Sequence, residues 1–256
     1  MIDLSTTIND DNWIISDTHF GHWRVLIFEP IRLEYLLDYN TDIISESTEL
    51  LSLINSIPID EQRNNERMTK LAKFLIPYHD EMLVEKWNNN IGVNDTVLHL
   101  GDFAFRGIDE ITKRLNGNKI LIRGNHDLKN ARTYIEAGWK DVIENIKIVI
   151  GNNTFDLTPK IDRYWNGLFI EIDNKTVLFS HYPIFNNNEW DVKKYGKITD
   201  LLEEIFTDVS GEINIHGHTH TKNSIFSNSI NVSLEHCTSL SPIKISSLLG
   251  DVKTCQ

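Results

Sequence analysis

The chain has 256 residues, of which 40% are hydrophobic and 24% charged; this is ordinary for one large globular domain or two small ones. Its 25 basic residues against 37 acidic leave a formal net charge of −12. That argues against a general nucleic-acid or membrane-surface binder, which needs a broadly basic face. Cys237 and Cys255 are the only cysteines, and they form neither a disulfide framework nor a zinc-ligand spacing. No signal peptide and no apolar run of membrane length is visible, so a cytoplasmic protein is the expectation.

Residues 1–12 are polar and read as a short lead-in, an edge strand at most. Trp13 to Ser16 is the first core strand, and Phe20-Gly21-His22 turns away from it. Residues 29–81 differ from their surroundings. They carry more than twice as many acids as bases and show helical apolar spacing over Glu46–Ile57 and Arg67–Ile76, with Pro58 between and Pro77 as the stop. This segment is either a pair of surface helices or, because it begins so soon after Asp17 and His19, a cap over a site. A further helix is expected over 78–90, then a strand from Thr96, a helix over 108–115, a turn at Asn116-Gly117-Asn118, a strand from Lys119 and a helix over 130–137. This half alternates strand and helix.

The second half is built from short strands. Ile146–Ile150, Thr154–Leu157, Leu168–Ile172 and Thr176–Ser180 are separated by hairpin-type turns at Gly151-Asn152-Asn153 and Asp173-Asn174. A helix over 198–206, a strand from Ile213, and a closing hairpin of Ile225-Phe226 with Ile230–Leu234 complete the pattern.

Five of the apolar runs end the same way. Asp17-Thr18-His19, Gly101-Asp102, Gly124-Asn125-His126-Asp127, His181 and Gly217-His218-Thr219-His220 each follow directly on a strand. In α/β sheets ligands bind at the carboxyl ends of strands, so the five ends are expected to meet. Asp17, His19, Asp102, Asn125, His181, His218 and His220 supply two carboxylates, one amide oxygen and four imidazoles. That mixture suits Mn, Fe, Co, Ni or Zn better than Mg, which prefers oxygen alone. Seven ligands are too many for one such ion and suit two, with a carboxylate between them. His79, His99 and His216 lie inside apolar segments and read as structural.

Taken together these motifs resemble the signature of the calcineurin-like metallophosphoesterases, from Trp13 to about Pro242 and missing only residues 29–81. The resemblance implies an α/β fold, a four-layer α/β/β/α sandwich of two mixed sheets, here a single domain with a helical insertion. It also implies that Asp17, His19 and His220 hold one divalent metal ion and that Asn125, His181 and His218 hold the other, with Asp102 bridging. His126 would contact the phosphate and protonate the leaving oxygen, with Asp127 orienting it. Ser16–His22, Leu100–Phe103 and Ile122–Asp127 are closest in wording to the small bacterial and phage branch. A phage-type deoxynucleoside 5′-monophosphatase is similar in size and motif set.

The expected activity is phosphomonoester hydrolysis, by in-line attack of a water held between the ions, on a (deoxy)nucleoside 5′-monophosphate or similar small ester. A phosphodiesterase or nuclease with the same metals is the alternative, and a non-catalytic scaffold of the same fold the third reading. An acidic opening is expected to repel a long nucleic acid. His22, Arg24, Arg32 and Arg123 are candidate substrate contacts; no membrane partner is expected, and nothing in the sequence speaks to an oligomer.

Overall fold

Two sheets share the work of burying the apolar runs. The structure, a computed structural model, describes residues 2–157, 166–184, 189–222 and 226–251. In the first sheet β1 (Trp13–Ile15), β2 (Thr96–His99), β3 (Asn118–Ile122) and β4 (Asp141–Ile143) run parallel, and β11 (Ile243–Lys244) adds antiparallel beside β1. The second contains β5 (Ile146–Ile150), β6 (Asn153–Leu157), β7 (Gly167–Ile172), β8 (Lys175–Ser180), β9 (Ile213–His216) and β10 (Ser229–Asn231). Its order is β10-β9-β8-β7-β5-β6, with parallel and antiparallel neighbours mixed.

Strand alternation sets the layers. Val177 and Phe179 of β8 join the main core with Ile14, Leu98 and Leu121 of the first sheet. Leu178, between them, turns to the other face and packs with Phe169 against Ile198, Leu202 and Ile205 of the helix Glu189–Asp208. A period of two is what the pleat requires. Helices thus flank two mixed sheets, the sandwich expected from the sequence.

Four local readings need correction. Residues 4–7 form a helical turn, capped by Asp3 Oδ1 on the Ser5 amide at 3.0 Å, rather than an edge strand. Pro77 does not end a helix: one continuous helix runs Glu66–Asn90 through it, capped by Asn65 on the Met68 amide. A mid-helix proline costs about 3 kcal/mol, but Leu71, Leu75, Met82, Leu83 and Trp87 are buried on both sides of it. Each such side chain contributes about 1.5–3 kcal/mol, so packing wins. The helix over 198–206 is longer, as already given. The closing hairpin is not seen: Ile225 lies outside the described residues, while β10 pairs parallel with β9 and leads to a 3-10 turn at Leu234–His236.

The inserted segment folds as helices Ile31–Tyr39, Ile44–Ser56 and Ile59–Gln62 and the first part of Glu66–Asn90. Its Leu33, Leu36, Leu50 and Met68 belong to the same buried cluster as the sheets. It is a flanking layer. Only Glu29 and Arg63 of residues 29–81 line the cavity described next.

Candidate metal centre

The site is built by backbone that has left the strand conformation. Asp17, His19, Asp102, His218 and His220 all have positive φ, between 48° and 69°. Left-handed backbone is uncommon for such residues and persists only where neighbours over-determine it. Here they do. The turns after β1 and β2 are tied by Asp17 N to Gly101 O (2.9 Å), His19 N to Asp102 O (3.0 Å) and Phe20 N to Phe103 O (2.9 Å). The second sheet is tied to the first by His218 N and Ser233 Oγ, both donating to Asp17 Oδ2, at 2.8 and 3.1 Å. Glycine is needed where these turns touch. A Cβ on Gly124 would collide with the Asp102 carboxylate, and one on Gly217 with Ser16 and Asp17.

Side chains then converge in two groups. Asp17, His19 and His220 offer ligand atoms that all lie within 4.8 Å of one another, as do Asp17, Asp102 and His181. Asp102 lies between them: Oδ2 is 3.6 Å from His19 Nε2 and Oδ1 is 3.8 Å from His181 Nε2. Asn125 Oδ1 and His218 Nδ1 complete the second group, 3.0 and 3.2 Å from His181 Nε2.

The donor set fits divalent cations. Asp17 Oδ1 and both ring nitrogens of His19 are buried with no hydrogen-bond partner among the described residues, a state that is unfavourable unless something else satisfies them. His181 Nδ1 donates to the Leu100 carbonyl at 2.8 Å. That leaves Nε2 as a lone pair, and it faces the oxygen of Asn125. Two lone pairs at 3.0 Å repel unless a cation lies between them. Charge points the same way. Burial, with the negative charges of Asp17 and Asp127, pushes the Asp102 carboxyl well up. Against its own burial, Asp17 is held well below the usual carboxylate range by His19, His181 and His220. Burial holds the His181 ring down at about 3, neutral and able to ligate.

Behind this group stands a pair of residues that the sequence did not single out. Glu235 accepts from His220 Nδ1 at 3.2 Å, and Glu29 Oε1 lies 3.8 Å from the same nitrogen. Burial raises the Glu235 carboxyl, but Arg32 and His220 outweigh it and bring it to about 2. No local motif marks Glu235, which follows His220 by fifteen residues.

A cavity of about 560 Å³ opens on the group. His126 stands in it, exposed, with Nε2 4.0 Å from Asp102 Oδ2 and its backbone amide donating to Asp102 Oδ1 at 2.8 Å. His22 lies beside it, stacked on Phe105 with ring centroids 3.8 Å apart. Val25, Phe28 and Phe105 give the cavity an apolar wall, and Arg24, Arg63 and Lys194 give it three cations against Glu29 and Asp102. Among the described residues the opening is therefore not the acidic one expected from net charge. His22 and Arg24 both line the cavity.

Three sequence assignments fail on geometry. Arg32 is fully buried and spends its guanidinium on Asp17 O, Thr18 O and Glu235, so it cannot meet substrate. Arg123 is bound to Asp127 O and to Glu144 and is not part of the cavity wall. Asp127 does not orient His126. Its Oδ2 accepts from Asp102 N (2.7 Å) and Gly124 N (2.8 Å), and its Oδ1 from Phe103 N (3.1 Å) and Tyr134 Oη (3.0 Å). It splices the turns after β2 and β3. Desolvation holds His126 below its ordinary value, against the raising effect of Asp17. His79, His99 and His216 are buried, as expected of structural residues.

Comparison with known proteins agrees. Residues 12–222 match the family described as calcineurin-like phosphoesterase. The chain is similar to the Gene 66 protein of Mycobacterium phage D29, 28% identical over 169 residues, covering 57% of this chain and 68% of that protein. In fold it is similar to the crystal structure of AQ665, a protein of unknown function from Aquifex aeolicus. The TM-score is 0.56 at 20% identity, covering 93% of this chain and 97% of that one. The phage relative supports the small bacterial and phage branch, and the family implies metal-dependent phosphoester hydrolysis. The chain belongs to the calcineurin-like phosphoesterases.

Proposed function

We propose that the protein is a dinuclear phosphomonoesterase acting on (deoxy)nucleoside 5′-monophosphates or similar small esters. Asp17, His19 and His220 would hold one ion and Asn125, His181 and His218 the other, with Asp102 available to both. When bound, the two ions activate a water and neutralise the phosphoryl oxygens. The chain's own part is to orient and to exclude. His126 is the exposed imidazole beside Asp102 and reaches the leaving oxygen or a phosphoryl oxygen. Phe28, Val25 and Phe105 give a base or other apolar group a wall to lie on, and Arg24 and His22, which line the same cavity, supply groups for the phosphate.

The single observation that carries the reading is the pair of buried, partnerless ligand atoms Asp17 Oδ1 and His19 Nε2, with His19 lining a cavity of about 560 Å³. The basic rim favours a second reading, a phosphodiesterase or nuclease with the same site, because Arg24, Arg63 and Lys194 would attract a polyanion. The test compares kcat/KM for a deoxynucleoside 5′-monophosphate, a bis-aryl phosphodiester and a labelled oligonucleotide. The monoester should be fastest, activity should vanish with a strong chelator, and Mn, Co, Ni or Zn should restore it. Fastest cleavage of the diester, or of internal oligonucleotide bonds, would replace the first reading with the second.

A further inference from the structure

Arg32 belongs to the inserted segment, yet its contacts are all with the site's own scaffold. Its Nη1 donates to Thr18 O at 2.9 Å and its Nη2 to Asp17 O at 2.7 Å. Its Nε donates to Glu235 Oε1 at 2.7 Å, and Nη2 lies 2.5 Å from the same oxygen. Glu235 in turn takes the Nδ1 proton of His220, both of its oxygens being within 3.3 Å. The other nitrogen of that ring, Nε2, faces Asp17 Oδ1 at 3.8 Å. So one buried ion pair, reaching across 203 residues of sequence, holds the carbonyls of Asp17 and Thr18 with one end and the ring of His220 with the other.

We propose that Arg32 and Glu235 are positioning residues for one of the two metal positions: they fix the His220 ring and the left-handed turn of Asp17 so that Nε2 and Oδ1 face a common point. This rests on the dinuclear reading above. Two other readings of the same residues fail. Glu29, Glu235 and His220 could be taken for a third cation site, but the Arg32 guanidinium already lies against Glu235 and would repel a cation. Arg32 as a substrate contact fails because the side chain is fully buried. A carboxylate behind a ligating imidazole sets the tautomer and ring angle, and losing it typically weakens metal binding 10–100-fold. Asp17 (φ 57°) and His220 (φ 48°) both need outside support to stay where they are. The inserted segment thus serves the site from beneath, through Arg32.

The test counts manganese. The full chain is loaded with Mn, dialysed, and assayed for bound ions by elemental analysis and for coupling of the pair by electron paramagnetic resonance. Wild type should hold two ions with a coupled spectrum. Glu235→Gln should keep one at wild-type affinity and bind the other about 10–100-fold more weakly, giving the spectrum of isolated Mn. Arg32→Met combined with Glu235→Gln, which leaves no unpaired buried charge, should show the same loss while the metal-free chain still unfolds cooperatively. Two coupled ions at wild-type affinity in either variant overturn the positioning role and leave the dinuclear reading standing; equal weakening at both positions overturns it too. A wild-type chain that binds no manganese overturns both. A measurement on the unmodified chain guards against misfolded variants: nitrogen NMR of the zinc-loaded protein should find the His220 proton on Nδ1. A proton on Nε2 sinks the proposal.

Discussion

The two sheets bring unlike chemistry to one seam. The first supplies both carboxylates, the amide and one imidazole, through Asp17, His19, Asp102 and Asn125. The second supplies three imidazoles, through His181, His218 and His220. Their backbones differ as well. The first is all parallel apart from the two-residue β11, whereas the second mixes directions and carries hairpins. The first sheet alone would crowd three buried carboxylates, Asp17, Asp102 and Asp127, with burial and then mutual repulsion raising Asp102. The second alone would offer three imidazoles without the carboxylates of Asp17 and Asp102 to balance a cation's charge. The site exists where Ser16 bridges to Ser233 and where His218 N and Ser233 Oγ meet Asp17. A seam of this kind lets each sheet fold on its own apolar pattern and still deliver half of a charged cluster.

The sharpest way to break the comparison is to remove the first sheet's central charge. Asp102→Asn should lower kcat/KM by about 10³-fold or more, since each factor of ten is about 1.4 kcal/mol and the ions' charge stabilisation amounts to several kcal/mol. Bound metal, measured by elemental analysis, should fall in parallel. Turnover within a few-fold of wild type would show that no bridging carboxylate is needed.

His126→Ala comes next. It removes a group outside the proposed ligand set, so two ions should remain while kcat falls roughly 10²–10⁴-fold. The loss should shrink for a nitrophenyl ester, whose leaving group needs no proton. An equal loss for good and poor leaving groups would assign His126 to phosphate positioning instead.

Acid should weaken both sheets through histidines that never touch the metals. Burial holds His99, in the first sheet, at about 3, and His216, in the second, at about 4, both well under the ordinary 6.5. The His99 ring is fully used as a neutral group, Nδ1 accepting from Gly101 N and Nε2 donating to Thr18 Oγ1. Because the folded values are depressed, the unfolded chain binds the extra protons. Stability of the metal-free protein should therefore fall as pH drops below about 6.5, by up to about 1.4 kcal/mol per histidine per pH unit, and level off near the folded values. Urea unfolding at pH 7 and pH 5 measures it. A His99→Gln or His216→Gln variant with an unchanged acid slope would remove that ring from the account.

The smallest effect belongs to the seam itself. Ser233→Ala deletes one of the two hydrogen bonds to Asp17 Oδ2. A bond to a charged group contributes about 1.5–3 kcal/mol, so denaturant unfolding should show a drop of that order, and metal affinity should fall modestly. A drop without any change in affinity would mean that the seam holds the sheets together but does not tune the site.

Much of the site was legible because its residues follow directly on strands. A buried strand's end is placed by the sheet, and whatever comes next is carried there with it, so Asp17, Asp102, Asn125, His181, His218 and His220 could be read as one cluster from local pattern alone. The sandwich and the structural role of His99 were legible for the same local reason. Other features depend on distance through space. The continuous helix through Pro77 was decided by burial on both sides of the proline, which local propensity does not contain. The family resemblance implied that Asp127 orients His126, but its carboxylate turns inward to four donors from Asp102, Phe103, Gly124 and Tyr134. The basic rim is a matter of which cations face the cavity, and a net charge of −12 averages that away. Arg32 and Glu235, 203 residues apart, carry no motif at all. Sequence alone determined which chemistry gathers at the strand ends, since strand periodicity and ligand type are local. Tertiary structure alone decided which side chains support that chemistry, since a buried charge must take its partner from whatever the packing brings within reach.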